Sequence, residues 1–260
     1  MKLDISNLSI QKLKSMLANC EVSQELIDAI QNDSRKGVQN LIKMYNRQMA
    51  EKARLHELYA YERQAWARGH RLVAGVDEVG RGPLAGPVVV AAVILPHDCF
   101  IKKLNDSKKL SEPTREKLYD IILKEAIAVK CAIVDEQTID RINIYQATVN
   151  GMYEAIYGLC VKPEEVLIDA VKLNKLEIPS VSIIKGDAKS ASIAAASIVA
   201  KVTRDRMMKD FAKIYPAYDF AHNKGYGTAE HLAALKKYGI CKIHRRSFEP
   251  IKSMVSHHEQ

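Results

Sequence analysis

Apolar residues recur at intervals of three and four through the first seventy positions: Leu13, Met16 and Leu17, then Leu26, Ile27 and Ile30, then Leu41, Ile42, Met44 and Tyr45, and finally Leu55, Leu58, Tyr59 and Tyr61. That spacing returns to one face of an α-helix, so residues 1–70 are predicted to be helical almost throughout. Ser9 and Ser23 are predicted helix starts, because a serine oxygen can accept from a free N–H of the opening turn. Residues 36–68 contain no proline and one glycine, Gly37, and read as one long amphipathic helix. An extension of this kind buries little alone and is expected to pack on the rest of the chain or on a partner.

At Arg71 the texture changes. Segments 72–76 and 87–95 are short, rich in Val and Ala, and bounded by Gly or Pro, which predicts buried strands. A helix over 113–126 leads into a strand over 127–134. A helix over 142–160 follows, ending before Pro163, then short strands at 166–168 and 181–184. Residues 188–214 are predicted helical up to Pro216, and 228–237 up to Gly239. Strands that cluster and then alternate with helices define an α/β class with a mixed sheet. Ala191, Ala194, Ala195, Ser197 and Ala200 give the 188–214 helix a run of small residues, expected to lie close on the sheet, while Lys189, Lys201 and Arg204 add positive charge to it. The last dozen residues are expected to be loose. The chain thus divides near residue 70 into a helical extension and a 71–260 domain.

Composition narrows the class. Of 260 residues, 47% are hydrophobic and 27% charged, which excludes disorder and fibre. The weakly polar runs 84–95 and 191–200 are too short to cross a bilayer, and Asp4 sits where a signal peptide needs apolar residues. A cytoplasmic protein without a membrane segment is expected. Cys20, Cys99, Cys131, Cys160 and Cys241 are scattered without zinc-ligand spacing and read as packing thiols in a reducing compartment. The formal charge of +8 is unevenly spread: +3 over residues 1–70, −1 over 71–200 and +6 over 201–260. A near-neutral middle between basic flanks suits an acidic centre served by surfaces that attract a polyanion, although solvated basic helices would give the same balance.

The acidic candidates share one context. Asp77 and Glu78 follow the first predicted strand and precede Gly80-Arg81-Gly82; Asp169 ends the strand at 166–168; Asp187 stands where a helix begins. Residues at the carboxyl ends of neighbouring strands converge on one crevice. Carboxylates brought that close repel, and hard divalent cations such as Mg²⁺ relieve the repulsion with oxygen ligands. Two such ions about 3.5–4 Å apart support phosphodiester cleavage. Singly, Asp187 could be a helix cap and Asp169 a turn residue. Adjacent side chains on a strand also face opposite ways, so Asp77 and Glu78 can serve one site only if the strand ends there or one acts through its carbonyl. The glycines around Arg81 let backbone approach a ligand, but the spacing matches neither a dinucleotide fold nor a P-loop. Tyr226, between Gly225 and Gly227, could stack on a sugar or base, or fill a core gap; Lys224, Arg245 and Arg246 could meet phosphates.

Seven segments occur in an order that resembles ribonuclease HII: AGVDEVGRGPLAGPVV from residue 74, LNDSKKL from 104, LIDA from 167, KGD from 185, AASIVAKVTRD from 195, NKGYGT from 223 and HRRSF from 244. The resemblance covers roughly residues 71–250 and leaves the helical extension outside it. It implies a ribonuclease H-like catalytic domain over 71–260, with a C-terminal helical substrate-binding region. It also implies hydrolysis of the RNA strand in RNA–DNA hybrids and incision at single ribonucleotides in duplex DNA, leaving 3′-hydroxyl and 5′-phosphate ends. By motif it makes Asp77, Glu78, Asp169 and Asp187 the catalytic ligands of two Mg²⁺ or Mn²⁺ ions. Gly80, Arg81 and Gly82 match the loop that senses the ribose 2′-hydroxyl, and Tyr226 the aromatic that checks the following deoxynucleotide. The family precedent is a monomer. Arg81, where the sister family ribonuclease HIII typically has threonine, and the helical extension both point away from that sister. A catalytically silent hybrid-binding protein and a DNA-cutting resolvase of the same fold stand as alternatives.

Overall fold

The computed structural model describes residues 3–18, 22–97 and 99–256. Cys20 lies outside the described residues, as do the last four of the terminal dozen; Cys99, Cys131, Cys160 and Cys241 are free thiols. No helix among the described residues is long and apolar enough to cross a membrane. Backbone contacts divide the chain into two compact units, residues 1–56 and 57–260. This boundary marks a change of packing, whereas residue 70 marks a change from helix to strand texture.

In the first unit, α1 (Ile10–Leu17) and α2 (Gln24–Gln31) are followed by α3 (Lys36–Leu58). Ser9 and Ser23 cap the first two, accepting from the backbone N–H of Lys12 and Leu26. Leu13, Leu17, Leu26, Ile30, Val38 and Ile42 form the unit's own apolar core. Arg35 closes it, donating to the carbonyls of Ile5, Ser6 and Leu8 while pairing with Asp33 at 2.6 Å.

The helix predicted over 36–68 is not continuous. It is interrupted at Tyr59 (φ −86°, ψ 11°), and α4 (Ala60–Ala67) resumes beyond it. Next come β1 (Val73–Val79), β2 (Val88–Ile94), α5 (Glu112–Glu125), β3 (Ala128–Val134), α6 (Glu136–Ile142), α7 (Ile144–Tyr157), β4 (Glu165–Asp169), β5 (Ser180–Ile183), α8 (Ala191–Ile214), α9 (Phe220–Asn223), α10 (Ala229–Tyr238) and α11 (Ile251–Ser256). The strands form one mixed sheet in the order β3-β2-β1-β4-β5, with β1–β2 and β2–β3 antiparallel and β1–β4 and β4–β5 parallel.

Alternation along the central strands builds a core on each face. Ala74, Val76, Val90, Ala92 and Ile168 pack with Met152, Ala155 and Ile156 of α7. On the other face, α8 lies against β1 so closely that a Cβ on Gly75 would stand 2.0 Å from the Ser192 carbonyl carbon. The small residues of α8 are what permit that approach. A further apolar cluster, including Leu84, Met208, Phe220, Leu235 and Ile243, holds the C-terminal helices.

Two boundaries differ from the sequence reading. The segment predicted as one helix over 142–160 is preceded by α6, and Asn143, at φ 67°, breaks the two apart while capping α7 through Gln146 N–H. The start of α8 is at Ala191, capped by Ser190, and Gly186–Ala188 form a separate 3-10 turn.

Candidate active site

Strand β1 does not stop before Asp77. Ladder pairs Asp77↔Ala91, Glu78↔Val90 and Val79↔Val89 carry it through both acids. On a continuing strand the two side chains leave on opposite faces. Asp77 shares the α8 face with Gly75, and Glu78 the α7 face with Val76. Parallel pairing of Val76 with Ile168 sets Asp77 beside Asp169, which closes β4. Asp169 Oδ1 accepts from Gly186 N–H at 2.6 Å, bringing in the turn that carries Asp187. Because Ser190 caps α8, Asp187 is free of the capping role that its position before a helix suggested.

The charges of Glu78, Asp169 and Asp187 all act on Asp77, although Glu78 leaves the other face of the strand. Burial pushes Asp77 well above the usual carboxylate range, and the charges of Glu78, Asp169 and Asp187 push it further. Burial also raises Glu78 to about 7, against the pull of Arg81, whose Nη1 lies 3.4 Å from Glu78 Oε1. Glu78 Oε2 is buried without a hydrogen-bond partner. Asp187 is raised by burial and by Asp106 and Asp169. Lys108 Nζ approaches Asp187 Oδ2 at 3.7 Å with its side chain 80% exposed. Burial alone would lower Lys108, but the surrounding carboxylates, Asp187 foremost, raise it. Among the described residues, no group of three or more His, Cys, Asp or Glu side chains forms a ready-made metal cage. The site is thus a set of crowded, under-neutralised oxygens with Lys108 and Arg81 at its rim. Asp106 and Lys108 lie within a segment recognised only by resemblance; the polar turn Asp106-Ser107-Lys108-Lys109 was the available signal.

The glycine loop is built from elsewhere in the chain. Gly80 (φ +93°) and Gly86 (φ +84°) take backbone conformations that side chains resist. Arg81 and Gly82 face solvent. Arg245 was expected to meet phosphate, but it is completely buried and donates to the carbonyls of Gly80 (2.5 Å), Arg81 (2.9 Å) and Gly86 (2.8 Å). Arg204, expected on the surface of α8, is also completely buried and donates to Pro87, Ala85 and Lys224 carbonyls at 2.9–3.0 Å. Both corrections share one cause: the loops bring peptide carbonyls inward, and guanidinium groups satisfy several at once. Lys224 is half-buried, its ammonium on Ala221 O, while Arg246 is exposed. Tyr226 is 44% exposed and does not fill the core; its ring lies against Gly82, whose absent Cβ would be 3.8 Å from Tyr226 Cε1.

A mixed sheet flanked by helices, with acids gathered at strand ends beside a stitched glycine loop, defines the ribonuclease H-like class of nucleases. A solved structure described as ribonuclease H2 from Pyrococcus horikoshii OT3 shares the fold at a TM-score of 0.63 and 27% identity, over 72% of this chain and 99% of that one. The ribonuclease HII family profile matches residues 74–251, and the chain belongs to the ribonuclease HII family of endoribonucleases. Ribonuclease HII of Enterococcus faecalis (strain ATCC 700802 / V583) is 51% identical over 252 residues, covering 95% of this chain and 98% of the relative. Ribonuclease HII of Ligilactobacillus salivarius (strain UCC118) is 49% identical over 255 residues, covering 96% and 99%. The likeness also reaches the extension that the sequence resemblance left out: residues 9–66 match the ribonuclease HII N-terminal domain.

Proposed function

We propose that this protein hydrolyses the RNA strand of RNA–DNA hybrids and cuts on the 5′ side of single ribonucleotides embedded in duplex DNA, leaving 3′-hydroxyl and 5′-phosphate ends. Asp77, Glu78, Asp169 and Asp187 are the proposed ligands of two Mg²⁺ or Mn²⁺ ions. The supporting observation is the crowding around Asp77: a buried carboxylate raised by three others has no electrostatic reason to persist without a cation. The residues fit such an ion, since all offer hard oxygens; Glu78, whose side chain leaves the other face of β1, would join through its main-chain carbonyl. An open set of carboxylates that leaves room for waters and phosphate oxygens also suits Mg²⁺. When bound, the ions would supply a water nucleophile at neutral pH and stabilise charge on the phosphate.

The chain's own groups do the rest. Asp169 is held by the Gly186 amide, which fixes one carboxylate oxygen. Lys108, exposed beside Asp187, can reach a phosphate oxygen. Gly80 and Gly82 let the loop backbone approach a sugar, whose 2′-hydroxyl is the handle that separates RNA from DNA. Tyr226 offers its face to the next deoxynucleotide. Water is the attacking group and no covalent enzyme intermediate forms. The working form is taken as a cytoplasmic monomer.

Duplexes holding one ribonucleotide, duplexes of DNA alone and long hybrids, each incubated with and without Mg²⁺ or Mn²⁺, test this. Cation-dependent incision of the first and third but not the second is expected. Tight binding without cleavage would instead favour a silent hybrid-binding protein.

A further inference from the structure

Arg204 and Arg245 are buried side by side, yet they hold different things. All the carbonyls on Arg245 belong to the glycine loop: Gly80, Arg81 and Gly86. Arg204 divides its fork: Nε and Nη2 take Pro87 O and Ala85 O, while Nη1 takes Lys224 O, two residues before Tyr226. The two loops also touch directly. Leu84 N–H donates to Gly225 O at 2.8 Å, and a Cβ on Gly225 (φ +85°) would stand 2.4 Å from Ala85 O. Tyr226 therefore stands against Gly82 because the loops behind them are fastened together, and Arg204 is the side chain that spans both.

We propose that Arg204 is a positioning residue that sets the register between the 2′-hydroxyl-sensing loop and Tyr226, and so determines preference for isolated ribonucleotides over long hybrids. Arg245 shapes the glycine loop alone and acts on both substrates alike. The proposal rests on the function proposed above, and it adds a division of labour between two buried arginines. Lysine cannot replace either, since a single ammonium has no planar fork to reach three carbonyls from one side chain. A long hybrid offers ribose at every step and tolerates a displaced Tyr226. An isolated ribonucleotide has one productive register, in which both loops must be placed together.

The test is cleavage of single-ribonucleotide duplexes and long hybrids by the full-length protein, with thermal melting recorded for every variant. Arg204→Lys is expected to lower single-ribonucleotide incision about tenfold more than hybrid cleavage, the size expected for losing a charge-assisted bond to a buried carbonyl. Arg245→Lys is expected to lower both by the same factor. In a Tyr226→Ala background, Arg204→Lys should change the ratio no further, because the aromatic it positions is gone. Equal losses on both substrates for Arg204→Lys, or a ratio shift that persists without Tyr226, would overturn the assignment. Gly225→Ala, which keeps Arg204 but drives a Cβ into its acceptor Ala85 O and so forces the loops apart, should move the ratio in the same direction. It decides the matter if Arg204→Lys does not fold, and an unchanged ratio there counts against the proposal. Wild-type protein that fails to cut at single ribonucleotides defeats the underlying function instead, and is read separately.

Discussion

The carboxylates at the ends of β1 and β4 and the arginines beneath the glycine loop are both buried charge, handled in opposite ways. Arg204 and Arg245 are fully buried, and their guanidinium groups donate to main-chain carbonyls. Burial pulls them down only to about 10 and about 9, so both stay charged at neutral pH. Asp77 is raised by burial and by Glu78, Asp169 and Asp187, Glu78 is raised by burial against the pull of Arg81, and Glu78 keeps an oxygen with no partner. Satisfied charge holds loops in place; unsatisfied charge waits for a ligand. One compact unit thus contains a scaffold and a candidate reaction centre, told apart by hydrogen-bond accounting rather than by residue type.

The sharpest way to break that contrast is to neutralise one member of each cluster. Asp77→Asn keeps the Oδ1 that accepts from Glu78 N–H at 2.7 Å and removes only charge. It should lower cleavage at least about a thousandfold, since several kcal/mol of charge stabilisation go with it. Its melting temperature without added cation should hold or rise, because repulsion among the acids is relieved. Arg245→Met should do the reverse to stability, costing on the order of 3 kcal/mol as buried carbonyls lose their donor. Chemical unfolding of both variants reads this directly; a stable Arg245→Met beside an unstable Asp77→Asn would invert the contrast.

Acidification separates the clusters more finely. His231 and His244 are buried under the Tyr226 loop, with Nε2 atoms 3.0 Å apart. His244 Nδ1 accepts from Cys241 N–H, and His231 Nδ1 faces Tyr226 O. A relay of neutral rings satisfies all of these, with His244 donating to His231 and His231 to Tyr226. Burial, reinforced by His231, lowers His244 to about 4 from 6.5. The unfolded chain therefore binds more protons than the folded one between those values, and stability falls as pH drops through them. Glu78, raised from 4.5 to about 7, acts oppositely: the folded state binds the extra proton, so cation-free protein gains stability as pH falls through that window. Glu78→Gln removes the second contribution, so its melting temperature should fall more steeply from pH 6.5 to 4.5 than wild type. Parallel curves would mean that Glu78 is not held in the raised state.

How much of this was legible along the chain depended on how local its cause is. Caps at Ser9 and Ser23, the strands around β2 and the close packing of α8 follow from cap chemistry, periodicity and small residues, and the folded chain has them. The extension of β1 through Asp77 and Glu78 was not legible, because polar residues at a strand end look like a turn until β2 supplies Val89, Val90 and Ala91 as partners. α6 was missed because it buries only Ile139 and shows no apolar stripe. Arg204 and Arg245 read as surface cations because, Lys224 O apart, the carbonyls that consume them lie more than a hundred residues away along the chain. Acid clustering at strand ends follows from topology and could be foreseen; which charges are already satisfied is a tertiary fact.

Glu62 tests the contrast at its weakest point, because it is half of each kind. Its Oε1 accepts from Ser190 Oγ at 2.6 Å and from Ser192 N–H at 2.8 Å, so α4 helps to cap the helix that begins just after Asp187. Its Oε2 is buried without a partner, and burial raises the acid against the pull of those bonds. If the capping oxygen is what matters, Glu62→Gln should change stability by less than about 1 kcal/mol, while Glu62→Ala costs about 1–2 kcal/mol by losing the cap. Urea unfolding of the pair decides between acceptor and charge: equal losses would put the weight on the negative charge at the α8 N-terminus. The residue lies in the last helix before the sheet begins, so removing residues 1–70 would delete this cap along with the extension. Activity lost on that truncation cannot be assigned to substrate contact by residues 1–56 unless a chain that keeps α4 is compared with it.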